Sequence, residues 1–538
     1  MWNRATSPQA TSARWERVRG WLPAALLAAL AVATYGNTLR NGFVWDDQYI
    51  VVDNPETRDL GALGRVLLSP DEASSYYRPL NRASYLVDFQ LFGMNAAGFH
   101  AVGVALHVVN VLLLLALGRR LFGTRPPAFL AAALLAVHPI QAEAVDFISA
   151  RNNLLVLAFS LSALLLFLEA LRRDSAGRAW LSGLALLLGL LSKEQALGVV
   201  PVVVGCALVP GLRAPAGGRR SLAFLVPHAS AIVLYAVLRS LALGPGAAGG
   251  AILPGLPSRM ALQAYAVPHY LGLALFPAGL TIFHDIPAAP LSIPWILPAW
   301  VAIAAAAYLL CRRWDAPVAI ASLWLAFQYV PISNVVPIPS APIAERYLYV
   351  PAAGLWLLAA AALDRLPRRL GGKALAACAG LAIAALAART IARNADWRDD
   401  LSLMASAVRV NPRSVDARFN LGEVLRERGD LPGAVAQWEE ALRLSPDDPR
   451  PLVQLGTLAA RGGDYARAEA YYRRALQAEP GEPLAHFNLA RVCDLTGRPG
   501  EALDHYRRFA AAAPDRRTRA QRSFAARRIR ELEGSLGR

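Results

Sequence analysis

Residues 21–39 read Trp-Leu-Pro-Ala-Ala-Leu-Leu-Ala-Ala-Leu-Ala-Val-Ala-Thr-Tyr-Gly-Asn-Thr-Leu, and residues 40–54 continue Arg-Asn-Gly-Phe-Val-Trp-Asp-Asp-Gln-Tyr-Ile-Val-Val-Asp-Asn. The first segment approaches the ~20 apolar residues that a helical membrane span needs. It follows a polar, basic tail, residues 1–20 with Arg4, Arg14, Arg17 and Arg19, and so has the outline of a signal peptide. No small-residue cleavage site follows it and many apolar runs do, so it reads as a retained anchor helix. The second segment then sets two adjacent carboxylates, Asp46 and Asp47, just outside a span and beside Trp45 and Tyr49. That arrangement is either an Asx-rich turn leaving a helix or the place where a membrane enzyme keeps a general base.

The rest of the composition supports a membrane chain. Its 538 residues are 55% hydrophobic, with a mean hydropathy of +0.34, which is too apolar for an ordinary soluble protein and too long for one core. The net charge of +16 comes almost wholly from arginine. On such a chain this points to cytoplasmic anchoring, and no nucleic-acid motif accompanies it. Cys206, Cys311 and Cys378 lie in apolar segments and Cys493 stands alone, so neither a disulfide framework nor a zinc site is supported. Heavy use of Ala, Leu, Arg, Gly and Pro suggests a GC-rich bacterial source.

Apolar runs recur near 98–118, 127–142, 153–171, 179–192, 195–212, 221–241, 261–280, 292–311, 317–332, 346–363 and 373–392. Basic residues cluster between alternate runs: Arg119, Arg120 and Arg125; Arg172, Arg173 and Arg178; Arg213, Arg219 and Arg220; Arg312 and Arg313; Arg365, Arg368, Arg369 and Lys373. The positive-inside rule places these clusters and the amino terminus in the cytoplasm. Parity then requires one run not to cross. The run 261–280, with Gln263, Pro268, His269 and Pro277, is the choice. The expectation is about eleven spans within a membrane domain of residues 21–393, with the carboxyl terminus outside. Polar residues then collect on the outer face, in 37–97, 138–152, the Ser192–Gln195 corner, 242–291 and 333–346. Charge at membrane depth is costly and points to function.

From about residue 394 the composition turns soluble and helical. Segments 417–450, 451–484 and 485–518 align at a period of 34 residues. Each carries a Leu-Gly or Leu-Ala pair, a Gly turn, Ala434, Ala468 or Ala502, an aromatic four residues later (Trp438, Tyr472, Tyr506), and a closing Pro446, Pro480 or Pro514. This is the tetratricopeptide pattern. Residues 397–416 resemble the second half of a further repeat, within a repeat domain of 394–518, and 519–538 reads as a basic capping helix. The array either binds a periplasmic protein or peptide in its groove or only packs against the membrane domain.

Within the outer loops, Arg78 in Tyr-Tyr-Arg-Pro-Leu suits a phosphate or a structural ion pair. His138, Glu143, Asp146 and Arg151 crowd one loop, as a neutralising cluster or a substrate-headgroup site. Lys193 and Glu194 form a snorkelling pair at a span end or place Lys193 against a lipid phosphate. Arg346 of Glu345-Arg346-Tyr347 is a second phosphate candidate. His100, His107 and Asn110 share a helix face turned to the bundle interior, without the third ligand a metal needs. No P-loop, dinucleotide fingerprint, zinc-protease motif or nucleophile elbow is present in a supporting context.

The run Asn41-Gly42-Phe43-Val44-Trp45-Asp46-Asp47 resembles the transmembrane-and-tetratricopeptide-repeat proteins. So do Tyr77-Arg78-Pro79-Leu80, Gly98-Phe99-His100, His138-Pro139-Ile140-Gln141-Ala142-Glu143-Ala144-Val145, Arg151-Asn152-Asn153-Leu154-Leu155, Lys193-Glu194 and Glu345-Arg346-Tyr347-Leu348-Tyr349-Val350-Pro351. Eukaryotic members of that family are protein O-mannosyltransferases of GT-C membrane fold that use dolichyl-phosphate mannose. The resemblance implies an all-α, GT-C-like transmembrane bundle followed by a repeat solenoid. It also implies a sugar transferred from a polyprenyl-phosphate donor to a periplasmic acceptor, a protein Ser or Thr, with Asp46 and Asp47 in the place of the catalytic carboxylate pair. Asp47 is the preferred base. Arg78, His138, Glu143, Arg151, Lys193, Glu194, Arg346 and Tyr347 are the expected substrate- and phosphate-binding residues. Cationic side chains can stabilise a lipid monophosphate leaving group, so no metal and no further cofactor are expected. The expected partners are the lipid-linked donor, membrane lipid and a periplasmic protein or peptide, with no nucleic acid. The rival readings are a non-catalytic scaffold whose repeats recruit periplasmic partners, and a transferase acting on a glycolipid or cell-surface polymer.

Overall fold

The structure, a computed structural model, describes residues 8–70, 76–123, 126–208, 220–244, 256–286, 296–311, 315–334, 342–365, 372–512 and 518–536. Arg4, Arg125, Arg213, Arg219, Arg312, Arg313, Arg368, Arg369, Pro337 and Pro339 lie outside those residues. The described chain is all-α and divides into two compact units, Met1–Ser402 and Leu403–Arg538. Residues 394–402, expected in the repeat domain, group with the membrane unit.

Among the described residues, six helices are long and apolar enough to cross a membrane: Trp21–Arg40, Ala96–Phe122, Ile148–Arg173, Val226–Leu243, Glu345–Asp364 and Gly372–Trp397. Pro126–Val137 and Pro139–Asp146, joined at a 54° bend, make a seventh if taken as one span. The expected count of about eleven is not reached by length. Ala176–Ser192, Glu194–Leu208, Ile296–Leu309 and Ala316–Ile332 are apolar but short. The run expected not to cross lies largely in Leu256–Leu275, which is not among the six.

Local chemistry sets the elements that matter for the site. The Asn95 side chain accepts the Ala97 N–H and starts Ala96–Phe122; Gly123, at φ 72°, ends it. His100, His107 and Asn110 recur at helical spacing on its buried face, as expected. His107 meets the Tyr349 hydroxyl at 2.7 Å, and Asn110 donates to the Leu154 carbonyl at 2.9 Å. The stripe therefore stitches helices together, which offsets the cost of burying it. At the bend, Pro139 favours extended backbone at His138. The His138 ring then accepts the Ile140 N–H at 3.2 Å and starts the next turn, carrying Glu143 and Asp146 inward.

The region 37–97, expected as a polar loop, contains the helices Leu63–Leu68 and Pro79–Phe92. In the second, Ala83, Tyr85 and Leu86 form a buried face, and Arg82 is buried with them. Arg82 pairs with Glu56 and donates to the Ser69 and Pro70 carbonyls at 2.9 and 3.0 Å. Those partners make burial of the charge tolerable, and a polar-looking stretch becomes a packed helix.

The ends of Ala96–Phe122 and Arg151–Arg173 separate two kinds of chemistry. At one end Arg120 pairs with Glu169 at 3.0 Å, and Arg172 and Arg173 pair with the same carboxylate. At the other end His100 lies 3.3 Å from the Gly42 carbonyl and Arg151 begins its helix.

The second unit holds the hairpins Val415–Glu427/Leu431–Leu444, Pro449–Arg461/Tyr465–Ala478 and Pro483–Leu495/Pro499–Ala511. Gly429, Gly463 and Gly497 turn each hairpin at φ 85°, 83° and 74°, where a side chain would be strained. Ala434, Ala468 and Ala502 are fully buried, and Trp438, Tyr472 and Tyr506 fill the space beside them. Arg519–Leu536 packs Ala525 and Leu532 onto the last repeat, and its Arg528 clasps Asp494.

Candidate active site

Trp45 precedes the two carboxylates in the left-handed region, at φ 51°. For a bulky residue this costs on the order of 1–3 kcal/mol and persists only where the surroundings demand it. Here the Trp45 ring stacks on Phe147 at 5.8 Å and meets the edge of Phe283 at 5.6 Å. The backbone N–H of Trp45 donates to the Asp400 carboxylate at 2.7 Å.

The two aspartates have different surroundings. Asp47 is fully buried. One of its oxygens accepts the Ser149 N–H at 2.8 Å and the Ser149 hydroxyl at 2.5 Å; the other accepts the Val44 N–H at 3.2 Å. Burial drives its carboxyl up to about 7; the Ser149 and Val44 hydrogen bonds counteract that rise, and the Asp46 charge adds to it. Asp46 is only half-buried and lies within electrostatic range of Arg346.

Three cations and two carboxylates converge beside this loop. Arg78 pairs with Glu194 through two bonds of 3.2 Å, with its guanidinium 4.2 Å over Tyr76. Arg346 pairs with Glu143, which also accepts the Arg346 N–H at 2.8 Å. Lys193 donates to the Asn153 side chain at 2.7 Å and forms no ion pair among the described residues. Tyr347 lies under both Lys193 and Arg346, each 5.2 Å from its ring centre. Burial, with the Arg78 charge beside it, pushes the Lys193 ammonium well below its usual range. Lys193 is thus the one cation of the three without a carboxylate partner among the described residues, and an entering phosphate would favour its charged form.

The structure brings together Asp46, Asp47, Arg78, Glu143, Lys193, Glu194, Arg346 and Tyr347, but two sequence expectations are redistributed. Lys193 and Glu194 do not pair with each other: adjacent residues leave the span corner in different directions, toward Asn153 and Arg78. The crowd His138, Glu143, Asp146 and Arg151 is likewise dispersed. The bend and the helix start at Arg151 point these side chains apart. His138 is held by the Ala274 carbonyl at 3.0 Å and by Trp356. Arg151 pairs with Asp88 and donates to the Phe99 carbonyl at 3.0 Å, while Asp146 faces Arg393. Sequence reading missed Ser149, Asn153, Tyr76 and Asp400. Ser149, Asn153 and Asp400 gain their places through contacts distant in sequence, whereas Tyr76 packs against its near neighbour Arg78. Among the described residues, no group of three His, Cys, Asp or Glu side chains is placed to hold a metal ion.

A wholly apolar cavity of about 200 Å³ lies between Leu256–Leu275, Ile296–Cys311, Ala316–Tyr329 and Tyr349–Asp364. Tyr270 in its wall accepts the Ala344 N–H at 3.0 Å, two residues before Arg346.

Residues 85–243 match the family Dolichyl-phosphate-mannose-protein mannosyltransferase, and residues 388–449 and 453–517 match Tetratricopeptide repeat. The chain is related to membrane glycosyltransferases of that kind. It is 27% identical to a protein O-mannosyl-transferase of Caenorhabditis elegans, over 75% of this chain and 60% of that protein. It is 29% identical to the protein O-mannosyl-transferase TMTC1 of Homo sapiens, over 78% of this chain and 54% of that protein. The chain thus spans little more than half the length of these relatives. Among solved structures, ArnT from Cupriavidus metallidurans is similar at 18% identity and a TM-score of 0.43, covering 93% of this chain and 82% of that one.

Proposed function

We propose that this chain is a GT-C-type membrane glycosyltransferase that moves a sugar from a polyprenyl-phosphate donor to an extracytoplasmic acceptor, a protein Ser or Thr. The observation that carries the reading is the aspartate pair set beside a partly buried cluster of Arg78, Lys193 and Arg346, in which Lys193 has no carboxylate partner among the described residues. The acceptor hydroxyl attacks the anomeric carbon, the bond to the phosphate oxygen breaks, and the hydroxyl proton passes to a carboxylate. We assign that proton to Asp46, which is half-exposed and beside Arg346. Asp47, buried with both oxygens hydrogen-bonded, holds the loop. This moves the base from Asp47, which the sequence favoured. Arg78, Lys193 and Arg346 stabilise the departing lipid phosphate, with Glu143 and Glu194 orienting the guanidiniums and Tyr347 supporting Lys193. The apolar cavity takes the isoprenoid chain next to its phosphate.

The basic helix ends at Arg120, Arg172 and Arg173 lie opposite the site, which supports a cytoplasmic amino terminus and an extracytoplasmic site. A bacterial inner membrane is inferred from composition. The relatives are protein O-mannosyl-transferases, which favours a protein acceptor and a mannose-like sugar. Purified protein in lipid nanodiscs, supplied with polyprenyl-phosphate mannose and Ser/Thr peptides, should release polyprenyl phosphate and glycosylate the peptide. Lipid release without peptide product moves the acceptor to another class. No release with any polyprenyl-phosphate sugar rejects the transferase reading.

A further inference from the structure

Residues 391–400 form a strap along residues 34–45, and the strap ends on the residue before the aspartate pair. Asn37 donates its side-chain amide to the Ile391 carbonyl at 2.9 Å, and Asn41 donates to the Asn394 carbonyl at 3.0 Å. Asn394 answers with bonds to the Thr34 carbonyl at 2.9 Å and the Asn37 side chain at 2.8 Å. The Gly42 N–H then reaches the Arg398 carbonyl at 2.9 Å, and the Trp45 N–H reaches Asp400 at 2.7 Å. A stack of rings runs beside these bonds. Trp397 lies 5.5 Å from Phe147, and Phe147 lies 5.8 Å from Trp45. Asn394 and Trp397 are fully buried, so this is packed structure and not a surface brush.

Left-handed backbone at Trp45 gives this strap a chemical consequence. A tryptophan relaxes toward negative φ unless something holds its N–H and ring. Such a relaxation would swing the following peptide and re-aim both carboxylates. The Asp400 acceptor and the Phe147–Trp397 stack are the groups that hold it. We propose that Asp400 is a positioning residue for the reaction at Asp46 and Asp47. By accepting the Trp45 N–H it keeps the loop in its working conformation. The proposal rests on the transferase reading above. It makes the segment after the last apolar helix part of the active-site framework, although it lies 355 residues along the chain from Trp45. Helix Asp400–Val410 opens on this same residue, so the covalent path into the repeats starts at the clamp.

The test compares full-length wild type with Asp400→Ala and Asp400→Asn. Asparagine keeps a side-chain oxygen that can accept the Trp45 N–H; alanine does not. Two readouts are taken: hydrogen–deuterium exchange of amides 42–48, and donor turnover resolved into kcat and KM. Asp400→Ala should exchange faster at those amides and lose about tenfold in kcat, with donor KM within about twofold, because misaligned catalytic groups lower kcat without removing phosphate contacts. Asp400→Asn should stay near wild type in both. If Asp400→Ala is not monodisperse, Asn41→Ser, which loosens the strap without touching Asp400, should speed exchange at the Gly42 and Trp45 amides. Wild-type exchange and wild-type kcat in Asp400→Ala overturn the proposal. So does an equal loss in Asp400→Asn, which would make the charge and not the acceptor decisive. An inactive wild type rejects the transferase reading, and faster exchange in Asp400→Ala would then retain only the clamp.

Discussion

The repeat unit and the membrane unit are both helical, but they are assembled on different length scales. In the repeats, each hairpin packs against itself and its neighbours: Trp438 reaches the Phe419 carbonyl 19 residues away, and Tyr472 reaches Thr457 at a separation of 15. In the membrane unit the site joins residues far apart in the chain. Arg78 and Glu194 are separated by 116 residues, Asp47 and Ser149 by 102, and Arg346 and Glu143 by 203. Local assembly repeats one solution and shows itself as a period. Distant assembly uses each residue once, so one substitution there should be felt more sharply.

The largest stability loss is expected in the membrane unit. Glu143→Gln removes the fully buried carboxylate that pairs with the partly buried Arg346 and should cost about 3 kcal/mol, read as a lower unfolding temperature in detergent. An unchanged unfolding temperature would show that Arg346 finds another partner. In the repeats the matching change is Gly456→Ala. Its Cβ would sit 2.7 Å from the Tyr472 ring, which should cost about 1–3 kcal/mol by overpacking. Calorimetry should place that loss in the repeat transition. A shift confined to the membrane transition would break the contrast between the units.

These two changes also show what the sequence made legible. Gly456 and Tyr472 belong to a 34-residue pattern whose packing is the same in each copy, so boundaries and core were readable from one strand of text. The membrane anchors were legible as apolar runs, but four fell short of a full span by length. At the site, Arg78, Lys193 and Arg346 stood out because charge beside apolar segments is costly. Their pairing did not, since nothing in Lys193-Glu194 says that one side chain turns to Asn153 and the other to Arg78. Helix Pro79–Phe92 was hidden for a related reason: its buried Arg82 and Asp88 are paid for by partners elsewhere in the fold.

Smaller effects sharpen the site. Lys193→Met should raise the donor KM about tenfold, worth about 1.4 kcal/mol, with less effect on bound-donor turnover. Equal KM in both proteins would remove Lys193 from the phosphate site. Ser149→Ala deletes a hydrogen bond that favours ionised Asp47, so the Asp47 titration should move above about 7. An NMR titration of the Asp47 carboxyl tests this, and a shift to lower pH would contradict the sign. Folding stability carries the same signature. The native Asp47 holds its proton up to about 7, whereas the unfolded residue releases it near the ordinary aspartate value of 3.8. Native protein therefore binds more protons between those values, and the Asp47 contribution to stability falls as pH rises through that window. Unfolding temperatures of wild type minus Asp47→Asn across the window should show the fall. A flat difference would mean that Asp47 is not buried in the free protein.

The most direct measurement is polyprenyl-phosphate release from a polyprenyl-phosphate sugar by wild type, Asp46→Asn and Asp47→Asn, alongside the affinity of each for polyprenyl phosphate. We predict that Asp46→Asn binds the lipid within about threefold of wild type yet releases it at least about 100-fold more slowly, as expected for loss of a general base. Asp47→Asn should be slowed less and should loosen the loop. Undiminished turnover in both variants would contradict the account.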